Sequence, residues 1–286
     1  MLNVLKQAKS AFSLLSADEI RKQADLPVHF GLVADSSAAY AEMEEFLAPS
    51  TLPRQEWRQR ISQVHRANDA SVPGHVDIVL YEPGLPCPAG AYSFRRGEEE
   101  STCAEILKDK TELDLALGRQ FLPFRRPVVD RIIQLVSREN ALFAIASALP
   151  NVVPSMIELP WAFGEFATDT AFLTVNQVRM AFQIAAACGK EVGLGKQKSA
   201  VLTIAAGAFG WRALARELVG HIPLGGGLIP KGAIAYAGTY LAGKGLEYLH
   251  VHDGEPTASQ RKQLYQEGLE HGRSFAKTVH LGANRA

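Results

Sequence analysis

The chain has 286 residues, enough for one large domain or two modest ones. Its 30 Lys and Arg balance its 30 Asp and Glu, so it lacks the basic excess of a dedicated nucleic-acid binder. The hydrophobic fraction of 47% is that of an ordinary globular protein, and its three cysteines (Cys87, Cys103 and Cys188) have no metal-ligand spacing and fit reduced thiols in a cytoplasmic setting.

Residues 1–26 read as an amphipathic helix followed by a second one. Val4, Leu5, Ala8, Phe12 and Leu15 fall at helical spacing, and Ser16 with Glu19 forms a capping box. The first helix packs on the following domain or lies on a membrane. Lys6 and Lys9 precede neither an apolar core nor a small-residue cleavage site, so no signal peptide is expected.

Residues 28–34 (VHFGLVA) have the length and composition of a strand. Asp35-Ser36-Ser37 then supplies an N-cap, and 38–47 reads as a helix. Residues 53–70 read as a polar helix rich in arginine, with Trp57, Ile61 and Val64 marking its buried face. A second strand is expected over 76–81 (VDIVLY), followed by Glu82-Pro83-Gly84 and a Pro/Gly-rich loop. A third is expected over 91–95, and Glu98–Glu100 as solvated surface. Short helices over 104–108 and 113–121 complete this half.

Composition changes near Pro123, where frequent charge gives way to Ala, Gly and long apolar residues. A helix is expected from Arg125 to about Leu149, ended by Pro150 and Pro154. Arg125-Arg126 before Pro127 marks its start or contacts acidic lipid. The next helix, about 167–188, carries an apolar face (Phe172, Val175, Val178, Phe182, Ala185). It also carries a polar stripe of Asn176, Arg179 and Gln183, which faces water or lines a cavity or partner surface. A polar loop (189–198) leads to a helix over 199–219, a glycine turn over 220–231 and a helix over 232–250. A final amphipathic helix covers about 257–280.

The stretch 207–243 therefore reads as a Gly-rich helical hairpin. Gly225, Gly226 and Gly227 form its turn. Small residues at four-residue spacing, Ala233 with Ala237 and Gly238 with Ala242, ask for a close helix neighbour. Tyr236 and Tyr240 suit a boundary between apolar and wet surroundings. The uncharged runs 199–211 and 218–230 are shorter than the roughly 20 residues a spanning helix needs. The hairpin is expected to be the packing centre of a helical domain that touches a membrane, not an anchor.

Catalytic motifs fail on their chemistry. A phosphate loop beginning at Gly31 would need a second glycine, a lysine and a hydroxyl, and finds Ser36, Ser37 and Ala38 instead. The helix N-terminus at Ser36 and Ser37 can still attract a small anion, which makes these two the candidate ligand contacts. GLGKQKS (193–199) lacks the first glycine and a preceding strand, and reads as a linker. His250 and His252 with Asp253 form the closest histidine pair in the sequence, but their spacing does not argue for zinc. No Gly-x-Ser-x-Gly elbow or His-Glu-x-x-His occurs. No metal or cofactor is expected.

Three segments together, RRPVVDRIIQLVSRENALFAIASALPNVVP (125–154), NQVRMAFQIAAACG (176–189) and AFGWRALARELVGHIPLGGGLIPKGAIAYAGTYLAG (208–243), resemble a bacterial family, the domain of unknown function 697. The resemblance covers about 125–250. It implies a helical domain that occurs alone or attached to Era-like GTPase domains, with some members membrane-associated. It transfers no catalytic residue. The N-terminal half resembles a GTPase domain only in outline. It lacks the Asp-x-x-Gly aspartate after the second strand and a guanine-reading Asn-Lys-x-Asp, and an unrelated small α/β domain fits as well.

The expectation is thus an α+β protein. A small α/β domain over 1–122, with a short parallel sheet and a degenerate phosphate-loop-like start, precedes a helical domain over 123–286. The first functional expectation is a non-enzymatic interaction or scaffold protein, cytoplasmic and docked at or embedded in the inner membrane. Its partners would be a GTPase or membrane protein and the membrane surface, with no nucleic acid. The second is a soluble regulatory module binding a small anionic ligand or nucleotide through the α/β half. An enzyme without a recognisable constellation is the third.

Overall fold

A computed structural model describes residues 17–67, 75–147, 169–193, 196, 228–252 and 254–283. The chain divides into two compact units, one containing Asp18–Asp130 and Ala186–Lys190, the other Arg131–Ala185 and Glu191–Ala286. The division falls inside a helix, between Asp130 and Arg131, rather than in the loop before it.

The first unit is built on a parallel sheet of four strands: β1 (Phe30–Val33), β2 (Val64–Arg66), β3 (Ile78–Tyr81) and β4 (Tyr92–Ser93), in the order β2-β1-β3-β4. Its helices are α1 (Ala17–Ala24), α2 (Ser37–Leu47), α3 (Arg54–Ile61), α4 (Glu99–Asp109) and α5 (Asp114–Gln120). β1 is central, with Phe30 opposite Val64 on one side and Ile78 on the other. The two-residue alternation of a strand puts Phe30, Leu32, Ile78 and Leu80 on one face, and all four are fully buried. Aromatic rings fill the space beneath. Phe30 meets Phe121 edge-on at 4.8 Å and lies 6.0 Å from Phe124, and Phe46 lies 5.1 Å from Phe94.

The polar helix expected over 53–70 is half that length. It stops at Ile61, where the Ser62 and Gln63 amides bond back to Arg58 and Arg60, and Val64–Arg66 forms the edge strand β2. Val64 fits the helical period of Trp57 and Ile61, but its partner is Phe30 on β1. A pairing this distant overrides the local pattern. Arg66 then caps the edge with charge. Its guanidinium bonds both Glu44 oxygens, at 2.6 and 2.8 Å, and lies 5.1 Å from the centre of the Tyr40 ring. Glu99 and Glu100, expected as plain surface, form the first turn of α4, where negative charge suits the helix dipole.

The described part of the second unit is helical: the later turns of α6 (Leu122–Ala146), then α7 (Asp169–Ala187), α8 (Leu228–Val251) and α9 (Ala258–Ala283). Pro230 lies in the first turn of α8, where proline is tolerated, whereas α6 starts at Leu122 rather than at Arg125, so Pro127 lies inside the helix and not at its start. Pro230 therefore begins the helix instead of punctuating the loop before it. α8 is apolar nearly all round, and its middle is buried: Ala233, Ala235, Tyr236, Ala237, Thr239 and Tyr240 are each under 10% exposed. Among the described residues no helix is long and apolar enough to cross a membrane. α8 itself carries Lys231, Lys244 and Glu247. The α+β class expected from sequence is the class observed.

Candidate functional site

The order β2-β1-β3-β4 makes the carboxyl ends of β1 and β3 a topological switch point, where open α/β sheets hold their ligands. The chain leaves β1 into Asp35 and Ser36 and begins α2 at Ser37. Ser36 is the N-cap, and its hydroxyl accepts the Ala39 N–H at 3.1 Å. The first-turn N–H groups and the dipole of an α-helix favour an anion here.

That anion is supplied by the protein. Glu82 follows β3 directly. Its Oε2 accepts the Asp35 N–H at 2.8 Å and the Ser36 N–H at 3.3 Å, and Oε1 accepts the Ser36 hydroxyl at 3.2 Å. The Glu82 backbone N–H donates to Val33 at 2.9 Å and fixes the residue beside the end of β1. Ser36 thus spends its hydroxyl on Glu82 and Ala39. Ser37 is exposed on the first turn of α2. The carboxylate follows the strand after which an Asp-x-x-Gly aspartate was sought, but Glu82 lies two residues ahead of Gly84, and Tyr81 stands at the aspartate's position. The signal was present as an acidic residue placed just after a strand that pairs with β1.

The helical unit holds a second polar constellation. The stripe Asn176, Arg179 and Gln183 does not face water. Asn176 is buried, the Arg179 side chain is 12% exposed, and Gln183 is half-buried. Arg179 is ion-paired with Glu139 of α6. The Asn176 amide donates to Glu139 (3.2 Å) and to the Asn140 carbonyl oxygen (2.9 Å). The Asn140 amide donates to the Thr239 hydroxyl of α8 (2.8 Å), which donates to the Ala235 carbonyl (2.9 Å). The chain of bonds therefore crosses three helices. Burial pushes the Glu139 carboxyl above its ordinary range, while Arg179 and Asn176 pull it back. A connected network of this kind fixes helix register, since a slip strands buried polar atoms.

The small-residue face of α8 meets α9. A side chain added at Gly272 would lie 2.9 Å from the Ala233 backbone, and one at Gly268 would lie 3.1 Å from Ala237. Gly268 and Gly272 are one helical turn apart and were legible as a G-x-x-x-G in the sequence, although only the α8 half of the contact was anticipated. The Tyr236 and Tyr240 rings are buried here, beside exposed side chains of α9. The Tyr240 hydroxyl donates to Glu267 at 2.7 Å, and the exposed His271 ring stands edge-on to both tyrosines. Gly238 is buried on the same helix. Gly225, Gly226 and Gly227 lie outside the described residues, as do Asp253 and the whole of 199–219.

The structure also joins two histidines far apart in sequence. Nδ1 of His29, just before β1, and Nε2 of His65, on β2, lie 3.2 Å apart. His252, by contrast, packs on Tyr248 at 5.2 Å. Among the described residues no group of three or more His, Cys, Asp or Glu is placed to hold a metal ion. Cys103 and Cys188 are buried and Cys87 is exposed; burial pushes the Cys103 thiol up to about 12. No family model, curated protein or solved structure matches the chain.

Proposed function

We propose that the protein is a non-enzymatic interaction or scaffold protein that docks at the inner face of a bacterial membrane. The observation that carries the non-enzymatic part is the Glu82 carboxylate on the N-terminus of α2. A carboxylate bound to the Asp35 and Ser36 amides, with the Ser36 hydroxyl on the Ala39 N–H, competes with the phosphates of a nucleotide for the switch point. The α/β unit then serves as a surface and not as a hydrolase. Support for docking comes from the resemblance of 125–250 to a family with membrane-associated members, and the same resemblance suggests a GTPase or a membrane protein as partner. Docking by surface contact is the form proposed; among the described residues no helix is long and apolar enough to cross a membrane.

Cell fractionation tests the docking. The protein is expected in the membrane fraction, released by salt without detergent. Full recovery in the soluble fraction before any salt wash would overturn docking. Hydrolysis of GTP or ATP by the purified protein would overturn the non-enzymatic part.

A further inference from the structure

Two arginines of the α/β unit carry buried N–H groups without acceptors. Arg60, in the last turn of α3, is only 9% exposed. Its Nη2 donates to Glu56 at 3.2 Å, but its Nη1 is buried and has no hydrogen-bond partner. Arg125, in the first turn of α6, has its Nε buried and likewise without a partner. The ends of their helices are tied together: Gln63, three residues after Arg60, donates to Gln120, five residues before Arg125, at 2.7 Å. Burial holds the Arg60 guanidinium below its ordinary range, Glu56 opposes it, and the charge of Arg125 adds a smaller push in the same direction as burial. Arg60 is thus paired with the half-exposed Glu56 carboxylate while it feels the like charge of Arg125.

The third side of this cluster is a turn after α7. Gly189, at φ +73°, brings the backbone beside Arg125, where an added side chain would lie 3.9 Å from Nη2. Arg119 holds that turn in place by donating to the carbonyls of Ala186 and Lys190. The start of α6 adds the positive end of a helix dipole. An oxyanion is the group that answers this arrangement, since a guanidinium presents its N–H groups in a fork that matches phosphate or carboxylate oxygens.

We infer that Arg60 and Arg125 form a binding site for a phosphate group, with Arg60 as the buried donor and Arg125 as the gate nearer solvent. The site is separate from the α2 N-terminus that Glu82 fills and does not depend on the scaffold reading. A phosphorylated small molecule and a phospholipid headgroup share this chemistry.

The test uses the full-length protein and its Arg125→Gln variant, chosen because Arg125 is half-buried and its loss leaves the sheet core intact. Inorganic phosphate, at ionic strength matched with chloride, is expected to raise the melting temperature of the unaltered protein along a saturating curve. Arg125→Gln is expected to weaken that response at least about tenfold, the scale of one charge-assisted hydrogen bond. Circular dichroism verifies that the variant is folded. Arg60→Lys, which keeps the charge and loses the fork, gives a second and independent weakening. Co-sedimentation with phosphatidylcholine vesicles, with and without phosphatidic acid, separates the sources. Phosphate binding without vesicle binding assigns the site to a soluble phosphorylated ligand. Vesicle binding that needs phosphatidic acid, is displaced by phosphate and is lost in Arg125→Gln assigns it to a headgroup. The absence of a saturable phosphate response, or an equal response from both variants and the unaltered protein, would overturn the site.

Discussion

The Glu82 carboxylate accepts the Asp35 amide at 2.8 Å, joining the ends of β3 and β1 across 47 residues of chain. Both strands run the same way, so their carboxyl ends open on one crevice, and the side chain leaving one strand reaches the helix that starts from the other. The bond is charge-assisted and aligned with the dipole of α2. Glu82→Ala is expected to lower stability by about 1–3 kcal/mol in urea denaturation, and Ser36→Ala by about 1 kcal/mol. The double variant should fall short of the sum, because Ser36 donates to Glu82. Full additivity would mean that the two side chains act independently.

Glycine positions along α8 and α9 separate close packing from open space. Gly272→Ala puts a methyl 2.9 Å from the Ala233 backbone, and Ala237→Leu pushes a larger side chain toward Gly268. Each is expected to destabilise by about 1–3 kcal/mol. Gly245, on the same α8, has nothing within 4 Å of an added methyl, and Gly245→Ala should stabilise by about 0.5–1 kcal/mol. Thermal melts that rank the three alike would show that α8 and α9 are not in contact through Gly272.

Glu139 gives the helical unit a pH signature. Burial lifts its carboxyl above the ordinary 4.5 against the pull of Arg179 and Asn176. Between the unfolded and folded values the folded state holds the extra proton, so stability falls as pH rises through that window. Glu139→Gln cannot titrate. The stability difference, unaltered protein minus variant, should therefore decline from about pH 4.5 upward and flatten once Glu139 is ionised. A difference that grows with pH over the same range would reverse the sign of the shift. Arg179→Met leaves the carboxylate buried without its ion pair and should cost about 3–5 kcal/mol near neutral pH.

Tyr265 is fully buried on α9 against Ala233 and Ala237, and its hydroxyl has no hydrogen-bond partner. Burial pushes its phenol up to about 12. Tyr265→Phe removes the stranded hydroxyl and keeps the ring, and is expected to stabilise by about 1 kcal/mol. A loss of stability, read from the denaturation midpoint, would mean that the hydroxyl has found an acceptor.

Local pattern made much of this fold legible. VHFGLVA and VDIVLY carry enough apolar, β-branched residues to announce β1 and β3, and Ser36 announces the start of α2. The Ala233/Ala237 spacing announced a close neighbour for α8. What the sequence hid was contact between distant segments. Val64 fits a helical face until its pairing with Phe30 is known. Asn176 and Arg179 read as a wet stripe until Glu139 and Asn140 are found across from them. Glu82 reads as loop punctuation until parallel pairing brings it over Ser36. Each side chain has two reasonable roles by itself, and tertiary structure selects between them.

The central claim is that Glu82 closes the switch-point site of the α/β unit. The most direct test follows the backbone amide resonances of Asp35 and Ser36 by NMR while magnesium with GTP, then ATP, is added to the full-length protein. These amides are expected to hold their positions throughout the titration, including under conditions where phosphate shifts resonances near Arg60 and Arg125. Saturable movement of the Asp35 and Ser36 amides on adding nucleotide would contradict the account, because it would mean that a phosphate displaces the Glu82 carboxylate.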